Sequence, residues 1–172
     1  MAPRGFTHES NPKTASDDAK NQYYTPKYIF DALGLEFDMD PCSPGAGLTH
    51  VPAKKHLTIV DDGLVTPWEG LVFVNPPYGA HTGPFMKKLA AHGEGIGLVF
   101  ARTEVKWFQE VVSQTSAVCF VSSRVKFHKD HIGPDSQPGT PGTGSMLLAF
   151  GDVSAQALKD SNLGQILKYC KE

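Results

Sequence analysis

The sequence predicts an α/β fold: a mostly parallel sheet covered by helices on both faces, with an antiparallel strand near the C-terminus. Three observations predict it. The apolar runs at 71–74, 96–100, 117–121 and 146–150 have the length and unbroken apolarity of strands buried on both faces. Amphipathic segments of helical period, at 84–92 and 104–113, separate the first three of them. The last two runs are instead joined by a loop, and strands joined without a helical crossover pair antiparallel.

In chain order, residues 1–22 are polar and read as a flexible N-terminal tail, leaving 23–172 as a single domain. Thr25 and Pro26 read as N-cap and first helical residue of a helix whose Ile29, Phe30 and Leu33 point inward and which Gly34 ends. Residues 35–40 form a strand, 41–56 a loop rich in Pro and Gly, and 57–60 a further strand closed by Asp61-Asp62-Gly63. The strand at 71–74 follows. The helix at 84–92 turns Phe85, Met86 and Leu89 inward, and the helix at 104–113 buries Trp107, Phe108, Val111 and Val112. Residues 124–128 alternate and form a strand or a bent extension. Residues 129–144 hold four glycines and three prolines, which excludes a helix or a central strand. Residues 155–169 read as a helix interrupted at Gly164.

The 172 residues suffice for one real core, and 40% apolar with 20% charged residues is ordinary for a globular chain. No apolar run approaches a membrane span, and no signal peptide is visible. Cys42, Cys119 and Cys170 form no CxxC pair, so the sequence indicates neither a disulfide framework nor a metal site; free thiols in a reducing cytosol fit. The net charge of −2 means that nucleic-acid binding would rest on a local basic face.

The chemistry concentrates at Asn75-Pro76-Pro77-Tyr78, directly after the strand at 71–74 and before Gly79. Open α/β sheets bind ligands at such strand ends. Two prolines fix two successive φ angles and remove two N–H donors, so the carbonyls there have few local partners. The Asn75 oxygen is a further acceptor, and Tyr78 offers a flat face. These groups suit an exocyclic amine on a ring: two acceptors take its two hydrogens while the ring stacks. The alternatives are a Pro-rich strand-to-helix turn and a Tyr78 that is only a core aromatic.

Further motifs appear in order: Tyr24-Thr25-Pro26, Phe37-Asp38-Met39-Asp40-Pro41-Cys42, Asp62-Gly63-Leu64 with Trp68, Trp107-Phe108 and Arg124-Val125-Lys126-Phe127. With the Asn-Pro-Pro-Tyr motif, they make the chain resemble the phage-type, Dam-like DNA N-6-adenine methyltransferases from about residue 22 to 150. The resemblance implies a Rossmann-like methyltransferase sheet, S-adenosylmethionine as methyl donor, DNA adenine as acceptor and the cytoplasm of a bacterial host as location. It indicates no obligate protein partner. Asn75, Pro76, Pro77 and Tyr78 are then catalytic: the Asn75 oxygen and Pro76 carbonyl polarise the amine, and Tyr78 stacks on a flipped base.

For the cofactor, Asp40 ends the first strand and could meet the methionine amine, or serve only as an Asx turn before Pro41 and Cys42. Asp62, with Gly63 and Leu64, is preferred over Asp61 because it matches the family's Asp-Gly-Leu. Tyr24, Thr25, Pro26 and Asn75 complete the cofactor set. Gly45 and Gly47 come one residue later than the usual methyltransferase glycines, and either wrap the cofactor or shape the loop. For DNA, the candidates are Arg102, Lys106, Arg124, Lys126, His128 and Lys129. Between 101 and 131, five cations against three carboxylates leave a local +2. Two other readings stay open: an amino methyltransferase for RNA or a protein glutamine, and a catalytically silent DNA-binding module.

Overall fold

The computed structural model describes residues 23–129, 131–133 and 136–168. The expected tail at 1–22, together with Cys170, lies outside them. Helix α1 (Lys27–Leu33) buries Ile29, Phe30 and Leu33. Gly34 ends it in the left-handed region, at φ 61°, where its N–H reaches the Phe30 carbonyl; glycine meets no Cβ penalty there. The N-cap is Pro26, and no side chain caps the helix. The expected capping by Thr25 therefore fails, because the Thr25 hydroxyl is engaged elsewhere.

Strands β1 (Phe37–Asp40), β2 (Ala53–His56), β3 (Val72–Val74), β4 (Gly95–Phe100), β5 (Ala117–Val121), β8 (Ser145–Phe150) and β9 (Gly164–Lys168) form one seven-stranded sheet in the order β2-β1-β3-β4-β8-β5-β9. β2, β1, β3 and β4 are mutually parallel. β8 runs antiparallel between β4 and β5, and β9 pairs antiparallel with β5 at the sheet edge. The result is a mixed α/β fold with a mostly parallel sheet. Short strands β6 (Phe127–His128) and β7 (Pro138–Gly139) pair separately inside the β5–β8 connection.

The apolar strands are buried on both sides, as their composition requires. On one face Phe73, Ile96, Leu98 and Leu147 pack with α1 and with α4 (Asp152–Asp160). On the other, Val72, Val74, Val99 and Met146 pack with α2 (Thr82–His92) and α3 (Lys106–Val111). No helix among the described residues is long and apolar enough to cross a membrane.

Three expectations need correction. The strand expected at 57–60 lies earlier, at β2. Residues 57–60 instead enter a turn that Asp61 closes by accepting from the Thr58 N–H and hydroxyl, leaving Ile59 and Val60 about nine-tenths exposed. The polar Lys54 and Lys55 hid β2 because it is an edge strand, where exposed lysines are compatible with pairing. The helix expected at 155–169 ends at Asp160. Asn162 turns into the left-handed region at φ 53°, and β9 follows. The helix expected at 104–113 is α3, followed by a 3-10 turn at Val112–Gln114.

Candidate active site

β1 and β3 are hydrogen-bonded neighbours running the same way, so the loops that leave their C-terminal ends lie side by side. One carries Asp40-Pro41-Cys42-Ser43, the other Asn75-Pro76-Pro77-Tyr78. A cavity of about 330 Å³ opens between them. Every residue expected to hold the cofactor lines it except Pro26, which serves as the α1 N-cap. Gly45 and Gly47 do not line it, whereas Ser43 and Pro44 do. With φ values of 125° and 80°, the two glycines shape the loop.

Asp40 is buried, and its Oδ1 accepts the Cys42 N–H at 3.1 Å, which is the Asx turn. Its Oδ2 lies 3.7 Å from Nδ1 of His56, whose other contact is the Ser43 hydroxyl at 2.9 Å. Asp40 faces His56 because β1 and β2 pair in register there. The nearby carboxylate raises the His56 pKa above its ordinary 6.5. Burial, with Asp40 adding to it, pushes the Cys42 thiol well above the usual range, so Cys42 meets the cavity as a neutral thiol. Burial alone holds the Cys119 thiol at about 11. Among the described residues no cluster of His, Cys, Asp or Glu could hold a metal ion.

Asp62 reaches the cavity and Asp61 does not line it. Asp62 sits in the left-handed region at φ 50°, and its Oδ1 accepts the Leu64 N–H at 3.0 Å. Gly63 is required by contact: a Cβ there would stand 2.0 Å from the Pro41 carbonyl oxygen. The Asp62-Gly63-Leu64 loop thus packs directly on the Asp40–Ser43 loop through Gly63. Its carbonyl accepts the buried Trp68 indole N–H at 2.7 Å.

Asn75 has its amide orientation set by its partners. Its Nδ2 donates to the Tyr23 carbonyl and to the Thr25 hydroxyl at 3.2 Å. A carbonyl can only accept, so the NH₂ side must face Tyr23. Oδ1 is thereby turned the other way; it is buried and takes no hydrogen bond. Such an orphaned acceptor is unusual in a native fold, because leaving it unpaired costs about 1–3 kcal/mol. The Pro77 carbonyl is occupied, accepting from the Thr82 hydroxyl at 3.1 Å. Among the described residues no donor reaches the Pro76 carbonyl.

A second cavity of about 380 Å³ lies on the other side of the motif, lined by Tyr78, Thr82, Phe100, Arg102 and Trp107 among others. Tyr23 lines both cavities. The Tyr78 ring stacks on Phe100 at 3.8 Å and meets the edge of Tyr23 at 5.4 Å. Its hydroxyl is buried without a partner, and burial raises its pKa far above 10.

The expected DNA-binding residues separate into groups. Arg102 is exposed at the second cavity. The alternation at 124–127 holds: Val125 and Phe127 are buried, while Arg124 and Lys126 are exposed. Arg124 also donates to the Pro141 carbonyl at 2.6 Å, tying down the following loop. His128 contacts the Ser136 hydroxyl at 2.6 Å and pairs through its backbone with Tyr24. The Lys129 ammonium lies 5.9 Å from the Tyr23 ring centre. Lys106, between Val105 and Trp107 of the second cavity's lining, shares Glu110 with Lys87.

Tyr23, His56 and Phe100 escaped the sequence reading. Tyr23 directly precedes a motif, and Phe100 ends a parallel strand beside β3, so position alone marked both. His56 carried no such mark, since its pairing with Asp40 depends on strand register. No curated protein and no solved structure matched the chain. A family model for DNA N-6-adenine-methyltransferase (Dam) matches residues 12–161, so the chain belongs to that family, whose general activity is methylation of adenine N6 in DNA.

Proposed function

We propose that this chain transfers a methyl group from S-adenosylmethionine to the N6 amine of an adenine flipped out of DNA. The observation that carries the reading is the buried Asn75 Oδ1, aimed by two hydrogen bonds on its own amide and left without a donor. An exocyclic amine brings two hydrogens, one for Asn75 Oδ1 and one for the Pro76 carbonyl. Accepting both draws the nitrogen lone pair out of ring conjugation and leaves it free for in-line attack. The nitrogen would gain positive charge as its bond to the methyl forms and the methyl–sulfur bond breaks, with neutral S-adenosylhomocysteine leaving, so two fixed acceptor dipoles stabilise the transition state more than the ground state. Asn75 is neutral and remains so; the product nitrogen sheds its proton afterwards.

The first cavity suits the cofactor: it has a buried carboxylate at Asp40, a second at Asp62 and apolar walls at Leu57, Leu64 and Phe85. When bound, S-adenosylmethionine supplies an electrophilic methyl on a sulfonium. Asp40 is suited to the methionine ammonium, and Asp62 with Leu64 to the adenosine. The flipped base is assigned to the second cavity's side of the motif, with Tyr78 as its stacking ring and its amine directed toward Asn75 and Pro76, which line the first cavity. Base flipping costs a few kcal/mol, which stacking of roughly 1–3 kcal/mol per base partly offsets. Arg102, Lys106, Arg124, Lys126, His128 and Lys129 are suited to the DNA backbone around that opening.

The test is Asn75→Ala in a labelled-methyl assay on duplex DNA, with S-adenosylhomocysteine affinity measured alongside. Turnover at saturating S-adenosylmethionine is expected to fall about 10²–10³-fold, more than any loss of cofactor affinity, since Asn75 also lines the cofactor cavity. Turnover close to the unsubstituted protein would remove Asn75 from the mechanism.

A further inference from the structure

Lys88 stands on α2, roughly one and a half turns past Thr82. Thr82 anchors the start of that helix to the motif loop: its hydroxyl donates to the Pro77 carbonyl and accepts the Gly79 N–H. The Lys88 ammonium donates to three backbone carbonyls of one loop, Gly63 at 3.0 Å, Leu64 at 2.9 Å and Thr66 at 2.6 Å. A lysine has three N–H donors, so all are used. The ammonium also lies 4.9 Å from the centre of the Trp68 ring, whose indole N–H shares the Gly63 carbonyl. Few other hydrogen bonds tie the loop to the rest of the fold: Val65 is 77% exposed, and Asp62 and Thr66 otherwise bond only within the loop.

We propose that Lys88 is a positioning residue: through these three hydrogen bonds it fixes the Asp62-Gly63-Leu64 wall of the cofactor cavity and joins it to the helix that carries the Asn-Pro-Pro-Tyr loop. The inference rests on the reading of that cavity as the cofactor's. A cation suits this place for two reasons. Three carbonyl dipoles converge on it, and a compact point charge with three rotatable donors can serve diverging acceptors as a planar guanidinium cannot. Without it the loop keeps the Trp68 indole bond, the close packing of Gly63 on Pro41, the packing of Leu64 on the core and its own internal hydrogen bonds, but no hydrogen bond to α2.

Lys88→Met keeps the aliphatic stem beside Trp68 and removes every donor. The full chain with this substitution is compared with the unsubstituted protein by calorimetric titration of S-adenosylhomocysteine, by turnover at saturating S-adenosylmethionine, and by amide hydrogen exchange. The Kd for S-adenosylhomocysteine is expected to rise about tenfold, the worth of roughly one hydrogen bond to a charged group. Turnover at saturating cofactor should fall less than affinity does. Exchange should quicken at residues 62–66 and stay unchanged in the middle of α2. An unchanged Kd, or a loss of turnover without a change in Kd, overturns the proposal. If the unsubstituted protein binds no S-adenosylhomocysteine, the cofactor reading itself fails. Exchange then decides the lysine alone: faster exchange confined to 62–66 supports the clamp, and unchanged exchange overturns it. Should Lys88→Met not fold, Lys88→Arg gives the same comparison with a smaller expected rise, about threefold.

Discussion

Tyr78→Phe is predicted to stabilise the protein and leave methylation largely intact, whereas Tyr78→Ala should damage both. The Tyr78 ring is held by a stack on Phe100 at 3.8 Å and by an edge contact with Tyr23 at 5.4 Å, yet its buried hydroxyl has no partner. A buried polar group left unpaired costs about 1–3 kcal/mol, and phenylalanine removes that cost without changing the ring. Taking the low end, about 1 kcal/mol, a domain of this size should gain roughly 2–4 °C in Tm. Alanine removes both ring contacts, each worth about 0.5–1.5 kcal/mol beyond the area they cover, so about 1–3 kcal/mol of stability should be lost. On the base side, loss of stacking worth roughly 1–3 kcal/mol should lower kcat/KM for DNA by about 5- to 150-fold in the alanine variant. The assays are thermal unfolding of the free proteins and single-turnover methyl transfer to a duplex. Equal loss of activity in both variants would show that the hydroxyl acts chemically. A lower Tm for Tyr78→Phe would mean that the hydroxyl is satisfied in the native state, and the reasoning would fail.

Gly63→Ala places a Cβ 2.0 Å from the Pro41 carbonyl oxygen, so we predict separation of the Asp62–Leu64 loop from the Asp40–Ser43 loop and at least a tenfold loss of S-adenosylhomocysteine affinity by calorimetry; unchanged affinity would mean that the loops yield freely. The His56 pKa is raised, so its protonated form is favoured by the fold: the contribution to stability is full below pH 6.5 and is lost as pH rises through the raised value. Accordingly, His56→Gln should lower Tm more at pH 6 than at pH 8, and equal losses would exclude the pairing with Asp40. Lys126→Ala should reduce the slope of log affinity against log salt for duplex DNA by about 0.9 if Lys126 meets one phosphate. Arg124→Ala should combine that effect with faster proteolysis of the following loop, because it also releases the Pro141 carbonyl; an unchanged slope in both variants would place DNA on another surface.

The sequence by itself determined the strands of the sheet interior and the motif loop. Interior strands covered on both faces must be continuously apolar, so residues 71–74, 96–100 and 146–150 could be read directly, and two adjacent prolines define their loop locally. Edge strands were hidden for the converse reason. β2 is Lys-rich and β9 half exposed, so neither shows the apolar run of an interior strand, and only pairing with β1 and β5 makes them strands. The same division holds in the site. Asn75, Tyr78, Asp40 and Asp62 were legible because each sits in a local motif. Their meaning was decided between segments distant in the chain: Tyr23 and Thr25 turn the Asn75 amide, His56 stands beside Asp40 through strand register, Phe100 backs Tyr78, and Lys88 gathers the Asp62–Thr66 loop. A hydrogen bond or a ring stack depends on ångström-scale placement. Sequence spacing carries that information only within a turn or a helix, so contacts across the sheet come from the tertiary packing alone.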